Sequence, residues 1–356
     1  MKIQKHYIFF AILLLLQIIF LKWISNHVEL VEKYYATVIY PFISNIFRFI
    51  FNFFKFSIGD ILYTLLAMYI IFSIYKVFKN KKIFKLETYI KFLAFLSIIL
   101  LLFNFLWGFN YYRKPLAQHL EINKTSFTSE DLEIFASKLI SEINEIHIKI
   151  SQNDTLKVEV PYEKDTIYKY SIDGYIKLHS KYPFFKTPNL KVKNSLYSTP
   201  LSFMGFAGYL NPFTNESQVN SNIPLVSLIT TSCHELGHQV GFAAEYEANM
   251  LSYLVAINHE NLYFQYAGKY MALRYILNEL YIADETLYQK HFSKINKGII
   301  KNMEESQVFW EQYQNAMEPF FKTFYDIFLK SNAQKEGIRS YKRVVGLMIN
   351  YQEKSK

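Results

Sequence analysis

Two histidines and a glutamate in the pattern His-Glu-x-x-His are the residues whose types and spacing most clearly predict chemistry in this chain. They are His234, Glu235 and His238. On a helix, residues four positions apart lie one turn above each other, so both imidazoles can bind one Zn²⁺. Glu235 follows the first ligand, so its carboxylate is expected beside the ion rather than on it. A general base for a zinc-activated water belongs in that place.

The residues around this pattern predict a helix that ends shortly after it. The segment 223–231, with Pro224 near its start, is typical of the first turns of a buried helix. Gly241 comes three residues after the second histidine and can end the helix by adopting a positive φ. A second helical pattern follows at once and carries Glu245 and Glu247. If the chain turns back between the two helices, the second can present a carboxylate to the imidazoles.

A catalytic zinc site needs a third protein ligand and one position open for water. Glu245 and Glu247 are the nearest carboxylates along the chain, so either is a candidate for the third ligand. The segment 245–249 resembles the third-ligand motif of short-spaced gluzincin metallopeptidases, which reads Glu-x-x-Ala-Asp or Glu-x-x-Ala-Asn. The resemblance implies that Glu245 binds zinc, with Glu247 as the alternative ligand. Ala248 would let the two helices approach closely, and Asn249 would hydrogen-bond a ligand imidazole without binding the ion itself.

Two other interpretations of these residues are compatible with the pattern. The histidines and glutamates could be solvated side chains on ordinary helices, or a zinc ion could have a structural role only. His-Glu-x-x-His and Glu-x-x-Ala-Asn occur in this order and close together, which favours a metal site. Glu235 has no structural role as evident as its catalytic one, which favours catalysis.

The first third of the chain predicts a membrane anchor. The chain has 356 residues, and its hydrophobic fraction of 51% is high for a soluble protein. Three apolar segments predict transmembrane helices, at about 7–24, 58–75 and 89–109. A further segment, over about 36–56, is apolar except for polar residues at three- and four-residue steps: Asn45, Arg48, Asn52 and Lys55. This polar stripe predicts an amphipathic helix lying in the membrane interface rather than a span.

Basic residues predict the orientation of these segments. Lys2 and Lys5 precede the first span, and a dense basic loop over 76–85 follows the second. Positively charged loops stay in the cytoplasm, so an even number of crossings must separate these two regions. Three spans in total satisfy this count and place the chain from Arg113 onward outside the cytoplasm. The net charge of +9 is then better explained by a membrane surface than by nucleic acid, for which we find no binding motif.

The chain therefore divides into two predicted parts. Residues 1–112 are the membrane anchor, and residues 113–356 form an α-rich α+β domain outside the cytoplasm. Thr128, with Asp131 three residues later, is typical of a helix start. The fold class is mainly α, with three transmembrane helices and an interfacial helix before the second part. The His-Glu-x-x-His helix makes that second part a candidate zincin-like metallopeptidase domain.

A different pattern, rich in turn residues, occupies positions 195–222. The runs 201–210 and 216–220 can pair as a hairpin ahead of the His-Glu-x-x-His helix. In zincin-type peptidases an edge strand in this place binds an extended peptide by strand addition. Three polar residues are therefore candidates for contact with a substrate: Tyr209, Asn211 and Glu216. The alternative is an ordinary hairpin without a binding role.

The chain as a whole resembles the DUF3810 family, membrane proteins of Bacteroidota-type bacteria. The resemblance rests on matching segments along nearly the whole chain: 57–60, 107–113, 204–212, 234–249 and 329–341. It implies a bacterial membrane protein with a zincin-like domain, and it gives no substrate. Three spans without paired inverted repeats do not fit a transporter.

These observations predict a membrane-anchored zinc-dependent metallopeptidase that hydrolyses peptide bonds. Its cofactor would be Zn²⁺, and its partners the lipid bilayer and a peptide or protein substrate. The alternative is a zinc-stabilised, non-catalytic membrane sensor or scaffold that binds an envelope peptide or protein. The predicted location is the inner (cytoplasmic) membrane, with the N-terminus in the cytoplasm and the zincin-like domain in the periplasm.

Overall fold

A computed structural model describes most of the chain, over residues 4–186, 188–332, 334 and 341–354. These residues are mainly helical and include one small sheet, which confirms the mainly α prediction. They cluster into two compact units, the first formed by Met1–Lys114 with Asn211–Glu216 and the second by Pro115–Leu210 with Ser217–Lys356.

The first unit consists mainly of helices. In chain order they are α1 (Lys5–Ile24), α2 (Val28–Leu30), a π-helix (Val31–Ile39), α3 (Tyr40–Phe51), α4 (Ile58–Lys79), α5 (Leu86–Leu106) and a 3₁₀ helix (Gly108–Tyr112). α1, α4 and α5 are each long and apolar enough to cross a membrane, which confirms the three predicted membrane-length helices. Gln17 in α1 donates from Nε2 to Ser97 Oγ in α5 at 2.8 Å, so a polar side chain within this apolar pair has a partner. These helices mark the chain as a membrane protein.

The segment predicted as an interfacial helix over 36–56 is helical for most of its length. Its first residues belong to the π-helix, and the following ones form α3. Arg48 of the polar stripe is buried and donates to Ser44 Oγ at 3.2 Å. Phe42 and Phe49 of the same helix are exposed. α3 therefore has polar and apolar sides, and its place at a membrane interface remains a prediction.

The second unit combines helices with most of the sheet. Its helices are α6 (Leu116–His119), α7 (Ser129–Ser151), α8 (Lys164–Lys181), α9 (Ser198–Met204), α10 (Leu225–Gln239), α11 (Glu245–Ile257), α12 (Leu262–Ala283), α13 (Glu285–Phe292), α14 (Lys297–Glu311), α15 (Glu318–Ser331) and α16 (Tyr341–Lys354). The strands are β1 (Val192–Asn194), β2 (Gly208–Asn211) and β3 (Glu216–Val219). They lie in the order β1-β3-β2, with β1 parallel to β3, so β2 is at an edge of the described sheet.

The hairpin predicted from 201–210 and 216–220 is shorter in the structure. The first half of the first run is wrong as a strand, because α9 occupies it and β2 begins only at its end. Gly205 has a φ of 77°, a conformation that ends a helix. Phe206 N donates to Leu201 O at 2.9 Å across this helix end.

The predicted helix start at Thr128 is confirmed. Thr128 Oγ1 accepts from Asp131 N at 3.1 Å, and Asp131 Oδ2 accepts from Thr128 N at 2.8 Å. This reciprocal pair satisfies N–H groups that the first turn of α7 leaves without helical partners.

α10 lies within the core of the second unit and packs against α8, α11 and α12. Its apolar side chains Leu228, Ile229 and Leu236 are fully buried, and each such side chain contributes about 1.5–3 kcal/mol to stability. Tyr175 in α8 donates to the carbonyl of Cys233 at 2.8 Å. This packing fixes the helix that carries the His-Glu-x-x-His pattern.

Candidate metal centre

A tight turn joins α10 to α11 and sets the two helices against each other. Gly241 has a φ of 96°, which confirms the predicted helix end. Gly241 N donates to His238 O at 2.9 Å, and Phe242 N donates to Gly237 O at 3.1 Å. α11 then begins at Glu245. The first turn of α11 therefore follows the last turn of α10 after only a few residues.

Small residues let α10 and α11 approach closely. A Cβ placed on Gly237 would lie 3.3 Å from Ala248 Cα, tighter than side chains normally pack. Farther along the pair, Ser252 Oγ donates to Thr230 O at 2.7 Å. The contact that the sequence suggested for Ala248 is thus present, with Gly237 opposite it.

The turn and the close packing bring three possible ligands together. One nitrogen of His234, one nitrogen of His238 and one carboxylate oxygen of Glu245 all lie within 4.8 Å of one another. His234 Nε2 is 3.3 Å from Glu245 Oε2, and His238 Nε2 is 3.4 Å from Glu245 Oε1. Two imidazoles and one carboxylate are a donor set that zinc accepts in catalytic sites.

The second nitrogen of each imidazole has its own partner. His238 Nδ1 lies 2.7 Å from the carbonyl oxygen of Phe242. Because a carbonyl only accepts, Nδ1 carries a proton, and in the neutral imidazole the lone pair of Nε2 can bind a metal. His234 Nδ1 lies 2.9 Å from Asn249 Oδ1, which orients that ring in the same way. The residues present therefore fit a zinc ion.

Glu247, the alternative ligand, lies outside this cluster. It is buried, and its Oε1 accepts from Leu116 N at 2.7 Å and from the Tyr246 hydroxyl at 3.2 Å. Its carboxylate is thus engaged in holding the start of the second unit onto α11. Glu245 is the residue of the two that the helix start directs toward the histidines.

Glu235 has the environment expected of a proton-transfer group. It is only 3% exposed, and its Oε2 has no hydrogen-bond partner among the described residues. Burial raises its pKa to about 7; the imidazoles of His234 and His238 oppose this shift, while the carboxylate of Glu245 adds to it. A carboxyl group with this pKa can both accept and release a proton near neutral pH.

A family model described as "Protein of unknown function (DUF3810)" matches residues 35–349. The chain belongs to the DUF3810 family. The match covers most of both units and includes the whole His234, His238 and Glu245 cluster. Neither the comparison with curated proteins nor the comparison with solved structures gives a significant match.

The three predicted substrate-contact residues of this DUF3810 protein have different surroundings. Tyr209 is partly exposed on β2. Asn211 is buried, and its Oδ1 accepts from Phe213 N and Thr214 N within the hairpin turn. The buried carboxylate of Glu216 accepts from backbone N–H groups at the start of α4, those of Ile58 at 3.2 Å and Gly59 at 2.6 Å. Asn211 and Glu216 thus make structural contacts, and Tyr209 remains a candidate.

Tyr325 of the DUF3810 protein lies beside the cluster of His234, His238 and Glu245. It was not among the site residues predicted from the sequence. Its hydroxyl donates to Glu245 Oε1 at 2.7 Å from α15. Its ring contacts the ring of Phe206 edge-on, with centroids 5.2 Å apart. Gln334 Oε1 also accepts from Glu245 N at 3.1 Å. No motif links positions 245 and 325, so the sequence carried no local signal for this contact.

We expect zinc affinity of the DUF3810 protein to rise with pH between pH 6 and pH 9. Burial lowers the pKa of His238, but the Glu245 carboxylate outweighs burial and raises it to about 9. Burial raises the pKa of Glu245, but the two histidines outweigh it and hold that pKa well below the usual range. Zinc must therefore displace the His238 proton, so affinity should increase up to about tenfold per pH unit. Competition titrations with a chelator measure this slope, and a flat profile would contradict it.

Gly208 in β2 lies so close to the Glu235 carboxylate that no larger side chain fits at this position of the DUF3810 protein. A Cβ at this position would lie 2.7 Å from Glu235 Oε1 and 2.8 Å from Gln218 O. Gly208→Ala should therefore displace the carboxylate or the strand, and a displacement near 1 Å costs roughly 100-fold in rate. Peptide hydrolysis and zinc content would be measured together. Normal zinc with strongly reduced hydrolysis is expected, whereas unchanged hydrolysis would show that Glu235 tolerates the shift.

Proposed function

We propose that this DUF3810 protein is a membrane-anchored zinc-dependent metallopeptidase. The observation that supports the proposal best is the combination of two features at one place. Three zinc-type donors from His234, His238 and Glu245 converge, and the buried Glu235 follows the first ligand. Its Oε2 has no hydrogen-bond partner in the part of the chain that the structure describes. A structural zinc site would not require that fourth, buried carboxylate.

The chain's own residues have distinct roles in this proposal. His234, His238 and Glu245 hold the ion, which when bound would supply a Lewis acid to polarise water and the scissile carbonyl. Glu235 accepts the proton of the attacking water and passes it to the leaving amine. Burial keeps bulk water from competing for that proton. Asn249 and the Phe242 carbonyl keep both imidazoles in the tautomer that binds metal.

The proposed substrate is an extended peptide that binds along β2. β2 is the edge strand of the described sheet, and edge strands bind peptides through main-chain hydrogen bonds. Gly208 in this strand comes close to the Glu235 carboxylate, so a peptide on the strand would pass beside the general base. Tyr209, which is partly exposed, would contact the peptide's side chains.

The proposed orientation of the protein in the membrane follows from the distribution of its basic residues. Lys2 and Lys5 near the N-terminus, and the basic segment 76–85 at the end of α4 and before α5, belong in the cytoplasm under the positive-inside rule. The N-terminus would then be cytoplasmic and the second unit periplasmic, with the helices in the bacterial inner membrane. A periplasmic peptidase would act on envelope peptides or proteins.

The proposal is tested on the full-length protein purified in detergent without chelator. We expect about one zinc per chain by elemental analysis and hydrolysis of an internally quenched peptide library. Phenanthroline should stop the hydrolysis, and added zinc should restore it. Zinc without hydrolysis of any library member would favour the non-catalytic sensor or scaffold. A folded protein that contains no metal would refute both.

Tyr325→Phe should weaken zinc binding by roughly 10- to 100-fold, the usual effect of losing an outer hydrogen-bond partner of a metal ligand. The hydroxyl at 2.7 Å is the donor to Glu245 Oε1, and phenylalanine removes only that donor. Affinity would be measured by competition with a chelator. Tyr246→Phe is the matched control, because the Tyr246 hydroxyl donates to Glu247 instead. Equal losses in both variants would mean that the Tyr325 contact has no specific role.

A further inference from the structure

Helix α15 carries an apolar stripe that the described residues do not cover. Phe320, Phe324 and Ile327 are 62%, 67% and 59% exposed. Their spacing of four and three residues places them on one face of the helix. Met317, just before the helix, is also exposed, as is Phe203 in α9, which packs against α15. Met317 precedes Phe320 by three residues, so it extends the stripe at its N-terminal end.

Elsewhere in the described part of the second unit, exposed large apolar side chains are not grouped on one helix face in this way. Its other exposed large apolar residues are spread over several helices and loops: Ile134, Ile148, Leu156, Ile176, Leu196, Leu262, Tyr281, Ile282 and Val308. Single exposed apolar residues need no explanation, whereas a contiguous apolar patch marks a contact surface. The α15 stripe therefore indicates a binding surface.

The remaining faces of α15 are occupied. Tyr325 and the fully buried Leu329 lie on the side that packs inward. Four charged residues pair along the helix, Lys322 with Glu318 at 2.5 Å and Lys330 with Asp326 at 2.6 Å. The apolar stripe therefore lies opposite the side of the helix that carries Tyr325, Leu329 and the ion pairs, as in amphipathic interfacial helices.

We propose that the apolar stripe of α15 lies in the interface of the lipid bilayer that anchors this chain. The bilayer is the occupant favoured here because three membrane-length helices belong to the same polypeptide. A tether of this kind keeps the effective concentration of the membrane surface high. Phenylalanine and isoleucine side chains suit the boundary between headgroups and acyl chains.

This contact would join the membrane surface to the candidate metal centre through one helix. Tyr325, which donates to Glu245, lies one residue after Phe324 on α15. The lipid contact would fix the position of the helix and therefore of the hydroxyl. The proposal itself does not depend on zinc binding or on peptide hydrolysis, and it can be tested separately.

The test is fluorescence quenching on the full-length protein in lipid nanodiscs. The chain has one cysteine, Cys233, which is fully buried, so a cysteine introduced on the surface can be labelled selectively. An environment-sensitive dye would be attached at Phe324→Cys in nanodiscs of phosphatidylethanolamine and phosphatidylglycerol. We expect a blue-shifted emission that is quenched by doxyl-labelled lipid and protected from aqueous iodide. Ile282→Cys is the control, since Ile282 is equally exposed at 69% and outside the stripe; its dye should be quenched by iodide.

Two outcomes would overturn the proposal. Quenching of the Phe324→Cys dye by iodide, without quenching by doxyl lipid, would show that the stripe faces water. A blue-shifted emission that neither quencher affects would show that protein covers the stripe, from a partner or a second copy. Ile327→Cys provides a second labelled site, so that one perturbing label does not decide the result.

Discussion

Glu235→Gln should reduce peptide hydrolysis by roughly 10²- to 10⁴-fold, the range attributed to a general acid–base group. Glutamine has nearly the shape of glutamate but cannot accept the proton of the attacking water. Zinc content should stay unchanged, because the cluster of possible ligands found among the described residues consists of His234, His238 and Glu245, without Glu235. The side chain is buried, and its Oε2 has no hydrogen-bond partner among the described residues, so an amide nitrogen in the place of Oε2 would break no hydrogen bond with them.

The comparison would be made on wild type and Glu235→Gln purified side by side. Zinc by elemental analysis, the melting temperature and hydrolysis of the same quenched peptide would be measured on each sample. An unchanged melting temperature and full zinc with abolished hydrolysis support the catalytic role. Undiminished hydrolysis would exclude Glu235 as the general base, and loss of zinc would mean that Glu235 supports the ion instead.

Glu245→Gln should weaken zinc binding by more than about 100-fold. Loss of an outer partner of a ligand already costs about 10- to 100-fold, and this change replaces the ligand itself with a neutral amide. The carboxylate lies within 3.4 Å of both histidine Nε2 atoms, and glutamine there leaves two imidazoles as the only strong donors of the cluster. The protein should then lose its metal during purification.

Glu247→Gln is the matched control for this experiment. It makes the same chemical change two residues away, and its amide oxygen can still accept from Leu116 N. Zinc should be retained in Glu247→Gln and lost in Glu245→Gln. The reverse pattern would move the third ligand by two positions and contradict the arrangement proposed for α11.

The helical part of this site could be predicted because its constraints are local. His234 and His238 share a face through the helix period alone, and Gly241 marks the turn through its tolerance of positive φ. The choice between Glu245 and Glu247 depends on where α11 begins. Two residues on a helix are about 200° apart, so only one of them can face the histidines. The resemblance to a metallopeptidase motif can be recognised in the sequence, but the first residue of α11 cannot.

Contacts between distant segments could not be predicted from the sequence. Tyr325 meets Glu245 across 80 residues, with no periodic pattern to connect them. Glu216 was expected at a substrate, yet its carboxylate accepts from the first N–H groups of α4, 157 residues earlier for Gly59. A polar residue in a turn-rich segment looks the same whether it contacts a ligand or caps a helix. Only the tertiary fold distinguishes the two.

The shortness of the ligand-bearing segment has a consequence for biosynthesis. The three proposed ligands fall within residues 234–245 of the chain. Contacts between residues close in the sequence cost little entropy of loop closure, so they can form early in folding. Tyr325 leaves the ribosome 80 residues after Glu245. We therefore expect the nascent chain to take up zinc before its last helices are translated, and α15 to secure the ion afterwards.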